Sequence, residues 1–90
     1  TNSIAIGTNA QSVTTSTLAV GESATALNGG ATAIGYQTNA LGLLSTAVGA
    51  GANAAGLYTT ALGYNAQATN SNATAVGANA RACRSAAPAW

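Results

Sequence analysis

A triplet of Ala, an aliphatic residue and Gly recurs six times in this chain at a constant spacing of 14 residues. No insertion interrupts the series, whose glycines are Gly7, Gly21, Gly35, Gly49, Gly63 and Gly77. A fixed period is the signature of a repeat architecture in which each unit packs against its neighbours. Fourteen residues are too few for a βαβ unit, which needs about 30. The repeat therefore predicts two short strands and two tight turns per unit.

The 14 positions of each repeat, counted from Ser3, behave as structural columns. Column three holds Ala5, Ala19, Ala33, Ala47, Ala61 and Ala75, and column four holds Ile6, Val20, Ile34, Val48, Leu62 and Val76. Columns eight and ten are Ala except at Thr38 and Ser12, and column nine is always polar. Small and polar residues that alternate with period two indicate half-buried strands, here columns one to four and eight to eleven. Gly in column five ends the first strand, where a positive φ or a close chain approach costs Gly least.

Strict spacing predicts that the units stack as coils whose equivalent strands pair in parallel and in register. The coils are residues 3–16, 17–30, 31–44, 45–58, 59–72 and 73–84. At about 4.8 Å per coil, six coils form a rod of roughly 29 Å. The β-roll is predicted over residues 1–84 and an irregular tail over residues 85–90. The chain near Cys83 leaves the repeat pattern, so residues from about 83 or 85 onward are interpreted as added sequence or a truncated junction.

The interior of each coil is predicted to hold columns four, eight and ten, where one branched aliphatic side chain meets two methyl groups. Columns three and five would then lie on the opposite face, where Ala and Gly allow another backbone to approach closely. The alternation of residues is equally compatible with the reverse assignment.

The composition excludes most chemistry. The charged residues are Glu22, Arg81 and Arg84, and the chain contains no His. One carboxylate and one thiol, Cys83, cannot supply a general acid–base pair, a metal site or a disulfide framework. Two arginines near one end cannot form a nucleic-acid footprint. We therefore expect no enzymatic activity, cofactor, metal or nucleic-acid partner.

Membrane insertion of this fragment is not expected either, because no run of 18 apolar residues occurs. The first residues also lack the basic start and apolar run of a signal peptide. The fragment is therefore expected to be cytoplasmic or to depend on an export signal outside it.

The apolar residues are too small to fill a large core, because 24 of them are Ala. Extra apolar burial is predicted to come from packing between identical chains. Leucines outside the repeated aliphatic column are predicted to cover a second surface: Leu18, Leu27, Leu41, Leu43, Leu44 and Leu57.

The repeats resemble the heads of YadA-like trimeric autotransporter adhesins. The resemblance covers residues 3–82 and is carried by motifs such as Ser3-Ile4-Ala5-Ile6-Gly7 and Thr74-Ala75-Val76-Gly77-Ala78-Asn79-Ala80. It implies a left-handed parallel β-roll that assembles as a homotrimer. It also implies a virulence-related adhesin on the bacterial cell surface, anchored in the outer membrane by regions outside this fragment. The expected partners are host extracellular matrix or cell-surface proteins.

Three tyrosines are candidate contact residues of such a surface. Tyr36 and Tyr64 share column six, two coils apart, and Tyr58 lies at a neighbouring turn. Exposed tyrosines are favourable contact residues, although aromatic cover over a turn is the simpler interpretation.

A threonine ladder supports a different function class. Column two holds Thr32, Thr46, Thr60 and Thr74, and regular threonines on a flat β-solenoid are compatible with ice binding. A purely structural spacer is a further alternative.

Overall fold

The structure, a computed structural model, describes residues 3–82 and the backbone of residues 88–89. Each coil contributes a three-residue strand and a two-residue strand. In chain order the strands are β1 Ile4–Ile6, β2 Gln11–Ser12, β3 Leu18–Val20, β4 Thr25–Ala26, β5 Thr32–Ile34, β6 Asn39–Ala40, β7 Thr46–Val48, β8 Asn53–Ala54, β9 Thr60–Leu62, β10 Gln67–Ala68, β11 Thr74–Val76, β12 Arg81–Ala82 and β13 Pro88–Ala89.

The strands form two parallel sheets that run along the stack. The odd-numbered strands form a seven-stranded sheet in the order β1-β3-β5-β7-β9-β11-β13, and the even-numbered strands form a six-stranded sheet from β2 to β12. Ala47 of β7, for example, pairs with Ala33 and Ala61, each 14 residues away. The predicted all-β, parallel and in-register solenoid is therefore confirmed. Its longest extent of 32 Å also agrees with the length expected for six coils.

The two turns of a coil have the same backbone design. In the first turn the column-eight N–H donates to the column-five carbonyl, as Ala52 N does to Gly49 O at 3.1 Å. In the second turn the next coil's column-one N–H donates to the column-twelve carbonyl, as Ala73 N does to Asn70 O at 3.1 Å. The residue before each of these donors adopts positive φ, for example Gly51 at 73° and Asn72 at 61°. Each coil is thus a pair of similar seven-residue halves.

Gly in column five ends the three-residue strand, as predicted. Gly49 has φ 121°, and a Cβ built on it would lie 2.7 Å from the carbonyl oxygen of Gly63 in the next coil. Column five therefore requires Gly for two reasons, because the backbone is left-handed and successive coils touch there. The close backbone approach predicted for this column occurs between coils of one chain.

The predicted interior is right for columns eight and ten and wrong for column four. Column-three alanines from Ala19 onward are fully buried, whereas Ile6 is 57% exposed and Ile34 is 36% exposed. The interior consists of columns one, three, eight and ten. Fully buried alanines of these columns are Ala19, Ala24, Ala26, Ala31, Ala33, Ala40, Ala47, Ala52, Ala54, Ala61, Ala66, Ala68, Ala73 and Ala75. Strands joined by such tight turns leave room between the sheets for methyl and hydroxyl groups, so the branched residues of column four face outward.

The buried hydroxyl groups of Thr38, Ser45 and Thr59 each donate to a turn carbonyl. Thr38 Oγ1 donates to Gly35 O at 3.1 Å, and Thr59 Oγ1 donates to Gly56 O at 2.8 Å. Ser45 Oγ donates to Gly42 O at 2.6 Å. Local pairing removes most of the cost of burying a polar group.

The end of the chain departs in part from the predicted irregular tail. Pro88–Ala89 forms β13, which pairs in parallel with Thr74–Ala75 at the same 14-residue offset. Residues 87 and 89 are both Ala and fall on columns one and three of a seventh coil, so the small-residue pattern continues there. Cys83 and Arg84, predicted to end the roll, and residues 85–87 and 90 of the predicted tail lie outside the described residues. The left-handed winding implied by the family resemblance stays a prediction.

Candidate functional site

The outward side of the seven-stranded sheet carries the repeated branched aliphatic side chains of column four. We call this surface the aliphatic face; it consists of columns two and four in the six coils. Its members are Ile4, Ile6, Leu18, Val20, Thr32, Ile34, Thr46, Val48, Thr60, Leu62, Thr74 and Val76. Ile4 and Ile6 are 51% and 57% exposed, and the column-four Val and Leu side chains are half-buried. A surface with partly exposed aliphatic side chains in every coil is a candidate interaction site.

The predicted threonine ladder lies on the same face. Thr46 pairs in register with Thr32 and Thr60, and Thr60 pairs with Thr74. All four threonines are half-buried and alternate with aliphatic neighbours along each strand. The face is therefore regular along the stack, but only column two, one of its two columns, carries hydroxyl groups in these coils.

The outward side of the six-stranded sheet is polar. Asn39, Asn53 and Gln67 are stacked in column nine through the register of β6, β8 and β10. We call this column, from Gln11 to Arg81, the amide face. The Oδ1 atom of Asn53 is buried and has no hydrogen-bond partner. The sequence identified column nine as polar but gave no reason to treat it as a binding surface.

The structure separates the three candidate tyrosines. Tyr36 and Tyr64 lie in first turns and are 52% and 59% exposed. They stand two coils apart on one edge of the roll, as predicted. Tyr58 is also exposed, but it lies in a second turn, at the opposite end of the strands. The three side chains therefore do not form one site within a single chain.

Four apolar side chains project from the second turns of coils three and four. Leu43, Leu44, Leu57 and Tyr58 are 40–54% exposed. We call them the second-turn patch. Three of the six leucines predicted to cover a second surface therefore lie here, whereas Leu18 lies on the aliphatic face and Leu27 and Leu41 follow β4 and β6. Leu44 and Tyr58 have φ values of 55° and 59°, in the left-handed region that bulky side chains disfavour. The sequence could locate these residues in a turn but could not show which of them adopts positive φ.

Groups that support metal binding or catalysis are sparse in this part of the chain. Among the described residues no group of three or more His, Cys, Asp or Glu side chains could hold a metal ion. No helix that is long and apolar enough to cross a bilayer occurs in the described segments. The surfaces available for function are thus the aliphatic face, the amide face and the two turn edges.

Comparison with protein families gives a match that extends along the roll. The family model described as YadA head domain repeat (two copies) matches residues 1–21, 15–38, 28–52, 40–65 and 54–80. The overlapping matches follow successive coils and together cover most of the chain. Comparison with curated protein sequences gives no significant match.

Proposed function

Because the chain belongs to the YadA head domain repeat family, we propose that it is the head fragment of a bacterial surface adhesin that acts as a homotrimer. In this assembly the aliphatic faces of three rolls pack around a threefold axis. The amide faces point outward and attach to host extracellular matrix or cell-surface proteins. The fragment is displayed on the cell surface by regions outside it and acts by contact, without catalysis.

The observation that carries this proposal is the position of the branched aliphatic residues. The interior of the roll is already filled by methyl and hydroxyl groups, so Ile6, Ile34 and their equivalents lie on the outer surface, beside the same column of the neighbouring coils, and stay partly exposed. Burial of a large aliphatic side chain contributes about 1.5–3 kcal/mol when it is complete, and these side chains are only partly covered. A second and a third copy of the same face would complete that burial.

The middle of the amide face, Asn39, Asn53 and Gln67, is suited to recognition without charge. Stacked amides offer donors and acceptors at the regular spacing of the sheet. Three identical amide faces on one rod increase avidity even where each contact is weak.

Sedimentation equilibrium tests the assembly. We expect a mass of three times the 8.5 kDa chain at micromolar concentration. A Val48→Asn, Leu62→Asn double variant on the aliphatic face should sediment as a monomer. The Thr69→Asn variant, on an exposed position of the opposite sheet, is the control and should remain trimeric. A wild-type chain that stays monomeric at every accessible concentration would refute the homotrimer.

Solid-phase binding tests attachment. The trimer should bind at least one of collagen, fibronectin and laminin, and the Asn39→Ala, Asn53→Ala double variant should bind more weakly while remaining trimeric. Ser71→Ala, an exposed turn variant, is the control. If the trimer binds none of these proteins, the fragment is a spacer in the adhesin.

The threonine ladder supports a second candidate, ice binding by the aliphatic face. This function needs the face to be open, so it is incompatible with the homotrimer proposed above. A thermal-hysteresis measurement separates the two: hysteresis from a monomeric roll, lost in a Thr46→Leu, Thr60→Leu variant, would favour ice binding.

A further inference from the structure

We propose that the second-turn patch of one copy packs against Tyr36 and Tyr64 of the neighbouring copy in the homotrimer. This inference rests on the proposed function, because it assigns the contacts made at the edges of the assembly. It gives Tyr36 and Tyr64 a partner other than the host receptor.

The backbone conformation of the second-turn patch supports this contact. Columns seven and fourteen both adopt left-handed φ, and most of their residues are Asn, Ser or Gly, which tolerate it. Leu44 and Tyr58 are the large apolar exceptions among the described coils, and both are about half exposed. Leu44 lies beside Gly30 of the preceding coil, yet Leu44 and Tyr58 both keep about half of their surface exposed. Two bulky side chains in this disfavoured conformation at successive coils thus present apolar surface to another molecule.

The first-turn edge and the second-turn edge of the roll are also placed so that they can meet in the trimer. The second turn directly precedes each three-residue strand and the first turn directly follows it, so both edges border the aliphatic face. In a threefold ring every copy uses two different surfaces, and one edge of each copy meets the other edge of the next. The edge contact is therefore continuous with the packing of the aliphatic faces.

The heights of the two edges overlap. Tyr58 lies just before β9 and Tyr64 just after it, so they lie at the two ends of the same strand. Leu44 precedes β7, which is one coil above the strand that Tyr36 follows. Copies related by a rotation axis along the stack have equal coils at equal heights, so Tyr58 of one copy lies level with Tyr64 of the next, and Leu44 lies about one coil from Tyr36.

Charge does not oppose the contact. Glu22 lies in coil two and Arg81 in coil six, so coils three to five carry no charged residue. Association there desolvates no ion, and tyrosines provide rigid contact area with a polar tip. A second copy of this chain therefore fits the second-turn patch.

The test replaces both bulky residues by Asn, which favours left-handed φ. In a Leu44→Asn, Tyr58→Asn variant we expect the concentration at which half of the chains are trimeric to rise about tenfold or more, as for truncation of central contact residues. Circular dichroism should show that the β-roll remains folded. The matched control is Ser16→Asn, at the same column in coil one, which should leave association unchanged.

A double-mutant cycle that combines substitutions in the second-turn patch with substitutions of Tyr36 and Tyr64 identifies the partner. Tyr36→Ala, Tyr64→Ala should weaken the trimer, and its effect should largely disappear in the Leu44→Asn, Tyr58→Asn background because the contact is already lost. Trimer stability unchanged by the Asn pair, or effects of the two pairs that simply add, would overturn the edge contact and leave the homotrimer intact. A wild-type monomer would instead refute the homotrimer and the edge contact with it.

Discussion

Leu44 occupies the space beside Gly30: its Cδ2 atom lies where a Cβ on Gly30 would stand. Gly30 also has φ 72°, a conformation that disfavours residues with a Cβ, and a Cβ there would require the Leu44 side chain to move. We expect Gly30→Ala to lower the free energy of unfolding by about 1–3 kcal/mol.

In the Gly30→Ala background, Leu44→Ala should remove the part of that loss that comes from contact with the Leu44 side chain. The part that comes from the positive φ of residue 30 should remain. A thermal-unfolding cycle of the two single variants and the double variant measures this coupling. Strict additivity would show that the Leu44 side chain moves away from the new methyl group without cost.

The glycines of column five allow backbone strain and contact between coils to be separated. Gly49→Ala places a methyl group against Gly63 O, whereas Gly77 has a similar φ of 119° and nothing within 4 Å of its Cβ position. Gly77→Ala should cost about 1–3 kcal/mol from the strained φ alone. Gly49→Ala should cost clearly more in chemical denaturation. Equal losses would mean that the coils separate easily at this column.

Neighbouring positions of one strand should respond in opposite ways to substitution. Ala47 is fully buried, so Ala47→Val overpacks the interior and should destabilise the roll by about 1–3 kcal/mol. Val48 faces outward, so Val48→Thr should preserve the folded roll and weaken only association. Circular dichroism follows the first effect and sedimentation the second. A stable Ala47→Val roll would contradict the assignment of column three to the interior.

The buried hydroxyl groups should differ in how much they contribute to the free energy of unfolding. Ser45→Ala keeps a backbone bond to the same acceptor, from Ser45 N to Gly42 O at 3.2 Å, and should cost less than about 1 kcal/mol. Thr38→Val keeps the shape of the side chain but removes its bond to Gly35 O. It should cost about 1–2 kcal/mol in denaturant unfolding. A greater loss for Ser45→Ala would show that the hydroxyl, and not the backbone N–H, satisfies the Gly42 carbonyl.

Attachment to host proteins should depend little on salt. The charged residues are Glu22, Arg81 and Arg84, and screening acts mainly on charge pairs. Between about 0.05 and 0.5 M NaCl we expect less than a threefold change in solid-phase binding. A steep decrease would indicate that the arginines near the end of the chain contribute most of the binding.

The sequence determined the stack but not which side of each strand faces inward. The period of the column-five glycines predicted parallel pairing, register and strand ends, because these depend only on spacing. Alternation alone cannot distinguish the two faces of a strand. The sizes in column one provide the missing signal: Ser45 and Thr59 are small like column three, so the smaller pair of columns belongs inside.

The surfaces were less predictable for a geometric reason. Tyr58 is six residues before Tyr64 in the chain, yet half a coil separates their turns and places them on opposite edges. The unpartnered Oδ1 of Asn53 depends on side-chain packing between coils, which no spacing encodes.

The uniform offset between equivalent strands makes rod length a countable quantity. Recombination between two repeats adds or deletes one whole unit, which is about 4.8 Å of rod length, and preserves the strand pairing on both sides of it. A gene of this kind can lengthen or shorten its product in fixed steps without redesigning a single turn.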